Sequence, residues 1–211
     1  MSQIRAKNET IIIRAASRVF AEYGYAATKT ATIAELAGLP KPNIYYYFGS
    51  KAKLYRAVLE SITEPLLAAS EPFLAHQDPV QALTAYIKAK LAISQDYPFA
   101  SKVFASEIMH GAPHLPADII ERLQGQTRTL TQRLNDWMAQ QLMLEVDANH
   151  LLFAIWASTQ TYADFNWQIR MALDKKELDE QDFEQAAQLI TQLVLGGCQV
   201  QSLPNANCEI K

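Results

Sequence analysis

Between Thr28 and Leu54 the chain reads TKTATIAELAGLPKPNIYYYFGSKAKL, two short helical patterns meeting at a glycine, and no other stretch narrows the possible folds as much. The spacing predicts a short helix containing Ile33, Ala34, Leu36 and Ala37, capped by Thr30 or Thr32 and stopped by Gly38 in the left-handed conformation. Pro42 suits the first turn of a second helix, where a missing N–H costs nothing. At roughly 100° per residue, Ile44, Tyr47 and Phe48 share one face of that helix, while Pro42 and Tyr46, flanked by Asn43 and Tyr45, share the other. The first face anchors and the second is presented.

An earlier pattern over residues 9 to 23, with Ile12, Ala16, Val19, Phe20 and Tyr23 at helical spacing and Gly24 as its stop, predicts a bracing helix. Three such helices make a helix-turn-helix unit, whose last helix enters the major groove. Ser50 is the expected N-cap of a further helix beginning at Lys51 and Lys53, and its amide end together with Lys51 is the expected phosphate clamp. Residues 1 to 56 hold nine Lys and Arg against three Glu, a formal +6, whereas the remainder holds ten against nineteen acids, a formal −9. A basic head on an acidic body fits a polyanion partner in spite of the net charge of −3.

The ordered residues Gly24, Tyr25, Thr28, Ile33, Ala34, Ala37, Gly38, Leu39, Ile44, Tyr45, Tyr47, Phe48, Lys51 and Leu54 resemble the N-terminal signature of the TetR/AcrR family of transcriptional regulators. The resemblance implies that Pro42, Asn43 and Tyr45 approach base edges and that Thr28, Thr30, Tyr46, Tyr47 and Lys51 touch phosphates; Lys41, next to Pro42, is a further expected base reader. Pro40 departs from the family, which usually has a capping residue there, so the start of the recognition helix is left open.

Beyond residue 55 apolar residues keep helical spacing, no strand alternation stands out, and an all-α body follows. Val80, Leu83, Ile87, Leu91 and Ser94 form one stripe; Ile120, Leu123, Thr127, Leu130, Leu134, Trp137 and Gln141 form another in a helix of roughly 116 to 143. Pro65, Pro72 and Pro79 punctuate the approach to the first, and Pro98, Pro113 and Pro116 separate the middle helices. The expected division is a helix-turn-helix domain over 1–55, a helical effector and dimerisation domain over 56–201, and a tail over 202–211.

From Leu151 to Ala157 the residues are apolar on every side, and a last helix over about 180 to 196 stops at Gly196 and Gly197. Leu151, Ile155 and Tyr162 on the first, with Phe183, Ile190 and Val194 on the last, are the expected isologous interface of a homodimer. The alternative is that both faces fill one protomer's core. Trp156 and Gln160, one turn apart, and Lys90 on an apolar stripe offer convergent polar groups for a small-molecule effector. Spacing alone equally allows a snorkelling lysine and a satisfied core tryptophan.

The runs YIKAKLAISQDYPFASKVF (86–104) and IWASTQTYADF (155–165) resemble the C-terminal domain of the pyrimidine-utilisation regulators within the same family, whose pocket lysine, tryptophan and glutamine match Lys90, Trp156 and Gln160. A further aromatic of that pocket appears as Leu66. The resemblance therefore implies a pyrimidine-like effector or a related scaffold with a re-specified pocket.

No phosphate loop, nucleophile elbow or HExxH helix is present, so the expectation is a cytoplasmic regulator with double-stranded DNA, an effector and its own copy as partners. Catalytic residues, a cofactor, a metal and a membrane span are not expected. The set Glu107, His110 and His114 is too little convergent for a metal, and Cys198 and Cys208, near the C-terminus, lack a paired motif. The competing expectation is a helical small-molecule-binding protein or enzyme with an incidental basic head.

Overall fold

The computed structural model describes residues 3–203, which form eleven α-helices and, among the described residues, no strand. They are α1 (Gln3–Ala27), α2 (Thr30–Ala37), α3 (Lys41–Phe48), α4 (Lys51–Ala68), α5 (Glu71–Ala75), α6 (Pro79–Asp96), α7 (Pro98–Met109), α8 (Ala117–Ala139), α9 (Ala148–Asp164), α10 (Asn166–Ala172) and α11 (Glu180–Gly197). The expected tail from residue 204 onward, with Cys208, lies outside the described residues.

Ile12, Ala15, Ala16, Val19 and Phe20 form the buried stripe of α1, which starts earlier than expected, at Gln3, where Arg5 pairs with Glu9 one turn on. Gly24 breaks its helical geometry at φ 73° and ψ 169°, a region open to glycine. Neither Thr30 nor Thr32 caps α2: the cap position is Lys29, and the Thr30 hydroxyl instead meets the Tyr45 phenol at 3.0 Å. Gly38 does stop α2, at φ 64°; its own N–H bonds Glu35 O and that of Leu39 bonds Ala34 O. With Pro40 at its cap position offering no side-chain acceptor, α3 begins at Lys41 and carries Pro42 in its first turn. Ser50 Oγ accepts the Lys53 N–H at 3.1 Å and so caps α4.

Four expectations about the body change. Pro65 lies inside α4, removing one helical bond without ending the helix. α8 ends at Ala139 because Gln141 turns left-handed at φ 59°, with Leu142 N–H on Trp137 O and Gln141 N–H on Met138 O, so Gln141 leaves the apolar stripe. α11 continues through Gly196 and Gly197 and stops at the left-handed Gln199. Cys198 is buried in the body's core, where burial raises its thiol pKa.

Two compact units result. The first comprises the chain to Pro65 together with Tyr97–Glu121; the second comprises Leu66–Asp96 and the chain from Arg122. Leu83, Ile87, Leu91, Leu130, Leu134, Leu152 and Ile155 dominate the second unit's core, in which the Phe73 ring meets Tyr86 at 5.5 Å and Trp137 at 5.2 Å. Ser94 Oγ donates to Thr159 O at 3.0 Å and fixes α6 against α9.

Candidate DNA interface and effector site

Within the first unit, Ile44 is the buried anchor of α3, while Lys41, Pro42, Tyr45 and Tyr46 are exposed and Asn43 is half-buried. Tyr46, 73% exposed, is the large side chain α3 presents most openly. Tyr45 is held from the side by the Thr30 hydroxyl, and Tyr47 is half-buried, its phenol accepting the Asn8 amide at 2.8 Å beneath the Arg5 guanidinium. The arrangement is a rigid helix offering prolyl, amide, phenol and ammonium groups outward.

The residues expected to touch phosphates differ in exposure. Thr28 and Thr30 are buried, and the Thr28 hydroxyl donates to Gly24 O at 2.7 Å, so these hydroxyls are not presented to a partner. Lys51 Nζ donates to the carbonyls of Tyr25, Ala26 and Thr28 at 2.8, 3.2 and 3.1 Å and lies 4.7 Å from the Tyr25 ring centre. An ammonium has three donors, and all three go to backbone. Lys29, just before α2, is a further exposed cation of this unit.

A direct test follows from this geometry. Lys51→Ala is expected to weaken DNA binding on all sequences while leaving the slope of log affinity against log salt unchanged, whereas loss of a phosphate-bound ammonium lowers it by about one unit. Titrations at several salt concentrations separate the two roles.

In the second unit, α6 and α9 bring the expected effector residues onto facing helices. Trp156 Nε1 donates to Tyr86 Oη at 2.7 Å. Tyr86 sits one turn before Lys90 on α6, and Gln160 one turn after Trp156 on α9. Lys90 is only 8% exposed, and burial pulls its pKa down to about 8, with Asp164 acting in the opposite direction. Tyr86 is buried and its phenol is pushed up to about 12 by desolvation, so it stays protonated. Two open clefts in this unit are lined by other residues: one of about 310 Å³ beside Arg133 and Trp137, and one of about 570 Å³ between α6 and α11.

The residues expected at a dimer surface lie largely inside the single chain. Ile155, Phe183, Ile190 and Val194 are buried in the chain's own core, and Leu151 and Tyr162 pack half-buried against it. The outward faces carry Phe153, Ala154, Ala157 and Ser158 on α9, and Gln185, Leu189, Gln192 and Leu193 on α11. Leu189 and Leu193 are 55% and 65% exposed, unusual for leucines within one turn of each other. His110 Nδ1 meets Ser106 O at 2.6 Å and so stands apart from Glu107 and His114; among the described residues no group of three His, Cys, Asp or Glu is arranged to hold a metal. No helix among them is long and apolar enough to cross a membrane.

The family model "Bacterial regulatory proteins, tetR family" matches residues 12–58, and that of the "YcdC-like protein, C-terminal region" matches residues 59–201. The HTH-type transcriptional regulator RutR of Escherichia coli (strain K12) is 36% identical over 194 residues, 92% of this chain and 91% of that protein. The HTH-type transcriptional regulator TtgR of Pseudomonas putida is 36% identical over 56% of this chain and 57% of its own. Among solved structures, the ketosteroid transcriptional regulator KstR2 of Mycobacterium tuberculosis superposes with a TM-score of 0.75 at 19% identity, covering 94% of this chain and 96% of its own. AibR in complex with isovaleryl coenzyme A and operator DNA does so with a TM-score of 0.67 at 17% identity, covering 88% and 97%. At these identities the structural likeness concerns the fold.

Proposed function

We propose, from the premise that this chain belongs to the tetR family of bacterial regulatory proteins, that it is an effector-responsive repressor acting in the cytoplasm as a homodimer on a palindromic operator. Lys41, Pro42, Asn43, Tyr45 and Tyr46 read the major groove. The amide ends of α2 and α4, with Lys29 and Tyr47, hold phosphates, and Lys51 keeps the α4 end in place. The outward faces of α9 and α11 join two copies, so that two α3 helices meet successive major grooves about 34–36 Å apart. The functional division is a DNA-reading segment over 1–55 and an effector and dimerisation segment over 56–201, followed by a tail.

One observation carries the effector reading: a buried lysine stands one turn from the tyrosine that orients Trp156. An indole face, an amide at Gln160 and an ammonium at Lys90 suit a flat heterocycle with carbonyl and N–H edges, which is the chemistry of a pyrimidine base. Leu66 supplies bulk in place of a second aromatic face. Binding shifts operator affinity insofar as the ligand prefers one posture of the dimer over another.

The test is the melting temperature of the full-length protein against uracil, thymine, other nucleobases and unrelated metabolites. A saturable rise of a few degrees with a pyrimidine is expected at a hundredfold excess over Kd, and its loss is expected in Trp156→Ala. A response to a chemically different metabolite, or one that survives in the variant, refutes the pyrimidine reading. Footprinting on the chain's own upstream DNA addresses the repressor separately; absence of any protected palindrome favours a helical binding protein with an incidental basic head.

A further inference from the structure

We propose that Glu107 is a positioning residue for operator binding: from the buried face of α7 it joins Tyr55 of α4 and the loop at His114 into one polar joint that sets the posture of the DNA-reading helices. The inference rests on the reading of the chain as an operator-binding regulator.

Glu107 is 3% exposed, and it is the buried acid among the described residues of the first unit. Its Oε2 accepts the Tyr55 phenol at 2.9 Å and faces His114 Nδ1 at 3.3 Å, while Oε1 accepts the His114 backbone N–H. Around it the Tyr55 ring meets Phe20, Tyr25 and His114 at 4.9, 4.8 and 5.3 Å, and Tyr25 and His114 meet at 4.6 Å. Burial, and then the neighbouring carboxylate, hold the Tyr55 phenol far above its ordinary titration range, so it remains a donor under all working conditions.

A carboxylate so enclosed contributes little to stability relative to a well-packed apolar side chain, because desolvation offsets the attraction it gains. What it does provide is direction, since from one place on α7 its two oxygens take the Tyr55 phenol of α4 and the His114 N–H of the loop. The joint continues towards the DNA face. Tyr25 touches Tyr55, Lys51 lies over Tyr25, and Lys51 holds the Thr28 carbonyl two residues before α2. In the other direction, α7 follows α6 after the single residue Tyr97, and α6 carries Tyr86 and Lys90.

The experiment compares full-length wild type, Tyr55→Phe, Glu107→Gln and Glu107→Leu. The probes are a duplex selected by the wild type from random sequence and an unrelated duplex of equal length. Affinities are measured at several salt concentrations beside melting temperatures. Tyr55→Phe, which removes a single hydroxyl, is expected to weaken binding to the selected duplex about tenfold, the scale of one lost hydrogen bond to a charged group. The salt slope and binding to the unrelated duplex stay unchanged, because no phosphate contact is touched. Glu107→Gln, which keeps the shape and an acceptor, retains more selectivity than Glu107→Leu. If the ratio of selected to unrelated affinity is the same in all four proteins while melting temperatures differ, Glu107 serves packing only and the proposal is wrong. If the wild type itself selects no sequence, the operator-binding reading fails before any variant is compared, and the proposal falls with it.

Discussion

The double variant Leu189→Glu, Leu193→Glu is expected to be monomeric at micromolar concentration and to bind a full palindrome more weakly by about two to four orders of magnitude. Both leucines lie on the outward face of α11, and neither belongs to the buried core that Ile190 and Val194 help to fill. The folded protomer should therefore survive the change. In an isologous dimer each leucine is buried twice, once per protomer, and each burial contributes about 1.5–3 kcal/mol. The replacements remove that contribution and bring four carboxylates together around the two-fold axis. With one head per molecule, the gain from tethering two heads, about 10²–10⁴ in affinity, is lost. Sedimentation velocity reads the first effect, and a comparison of full and half-site duplexes reads the second. A variant that sediments as a dimer would show that α11 is not the interface.

Lys90→Met is expected to raise stability at pH 7 by on the order of 3 kcal/mol, the free-energy equivalent of a lysine pKa held near 8 instead of 10.5. The folded-state value is the lower one, so between about pH 8 and 10.5 the unfolded chain binds the additional proton. Wild-type stability thus rises with pH through that window as the buried ammonium becomes neutral, and below about pH 8 the cost of the buried charge is fully present. The variant lacks that rise from this group. Denaturant titrations of the two proteins should therefore differ most below pH 8 and converge above 10.5; a constant difference would mean that Lys90 is not desolvated as its position indicates. A lysine kept at such a cost fits a binding role, and the same variant should lose the pyrimidine response.

The helical period was legible almost throughout, because 3.6-residue spacing is a local signal, and so was the turn at Gly38, where a left-handed backbone selects glycine. Which face of α9 points inward was not. With apolar residues on every side, its pattern does not separate Ile155, fully buried, from Phe153, 47% exposed. On α11 the adjacent pairs Leu189–Ile190 and Leu193–Val194 likewise left open which member faces inward; Ile190 and Val194 are buried, and Leu189 and Leu193 are exposed. The end of α8 was hidden because Gln141 adopts the left-handed turn without being glycine. At the DNA face, the recognition helix could be read from Pro42 to Phe48, but the occupation of Lys51 could not. Its partners are main-chain carbonyls 23 to 26 residues away, and carbonyls leave no mark on residue type. Tyr86 escaped for a related reason, since its bond to Trp156 spans 70 residues of sequence.

The interleaving of the two units along the chain bears on biosynthesis and on modular exchange. The first unit draws its last piece from Tyr97–Glu121, after the chain has already supplied Leu66–Asp96 to the second. During translation neither unit is completed in order: the N-terminal helices wait for α7 before Tyr55 and Glu107 can meet, while α5 and α6 wait for α8, α9 and α11. A graft that cuts at the end of the recognition segment would bring its helices to a new body without the α7 against which they are seated, so a working chimera must carry both pieces across.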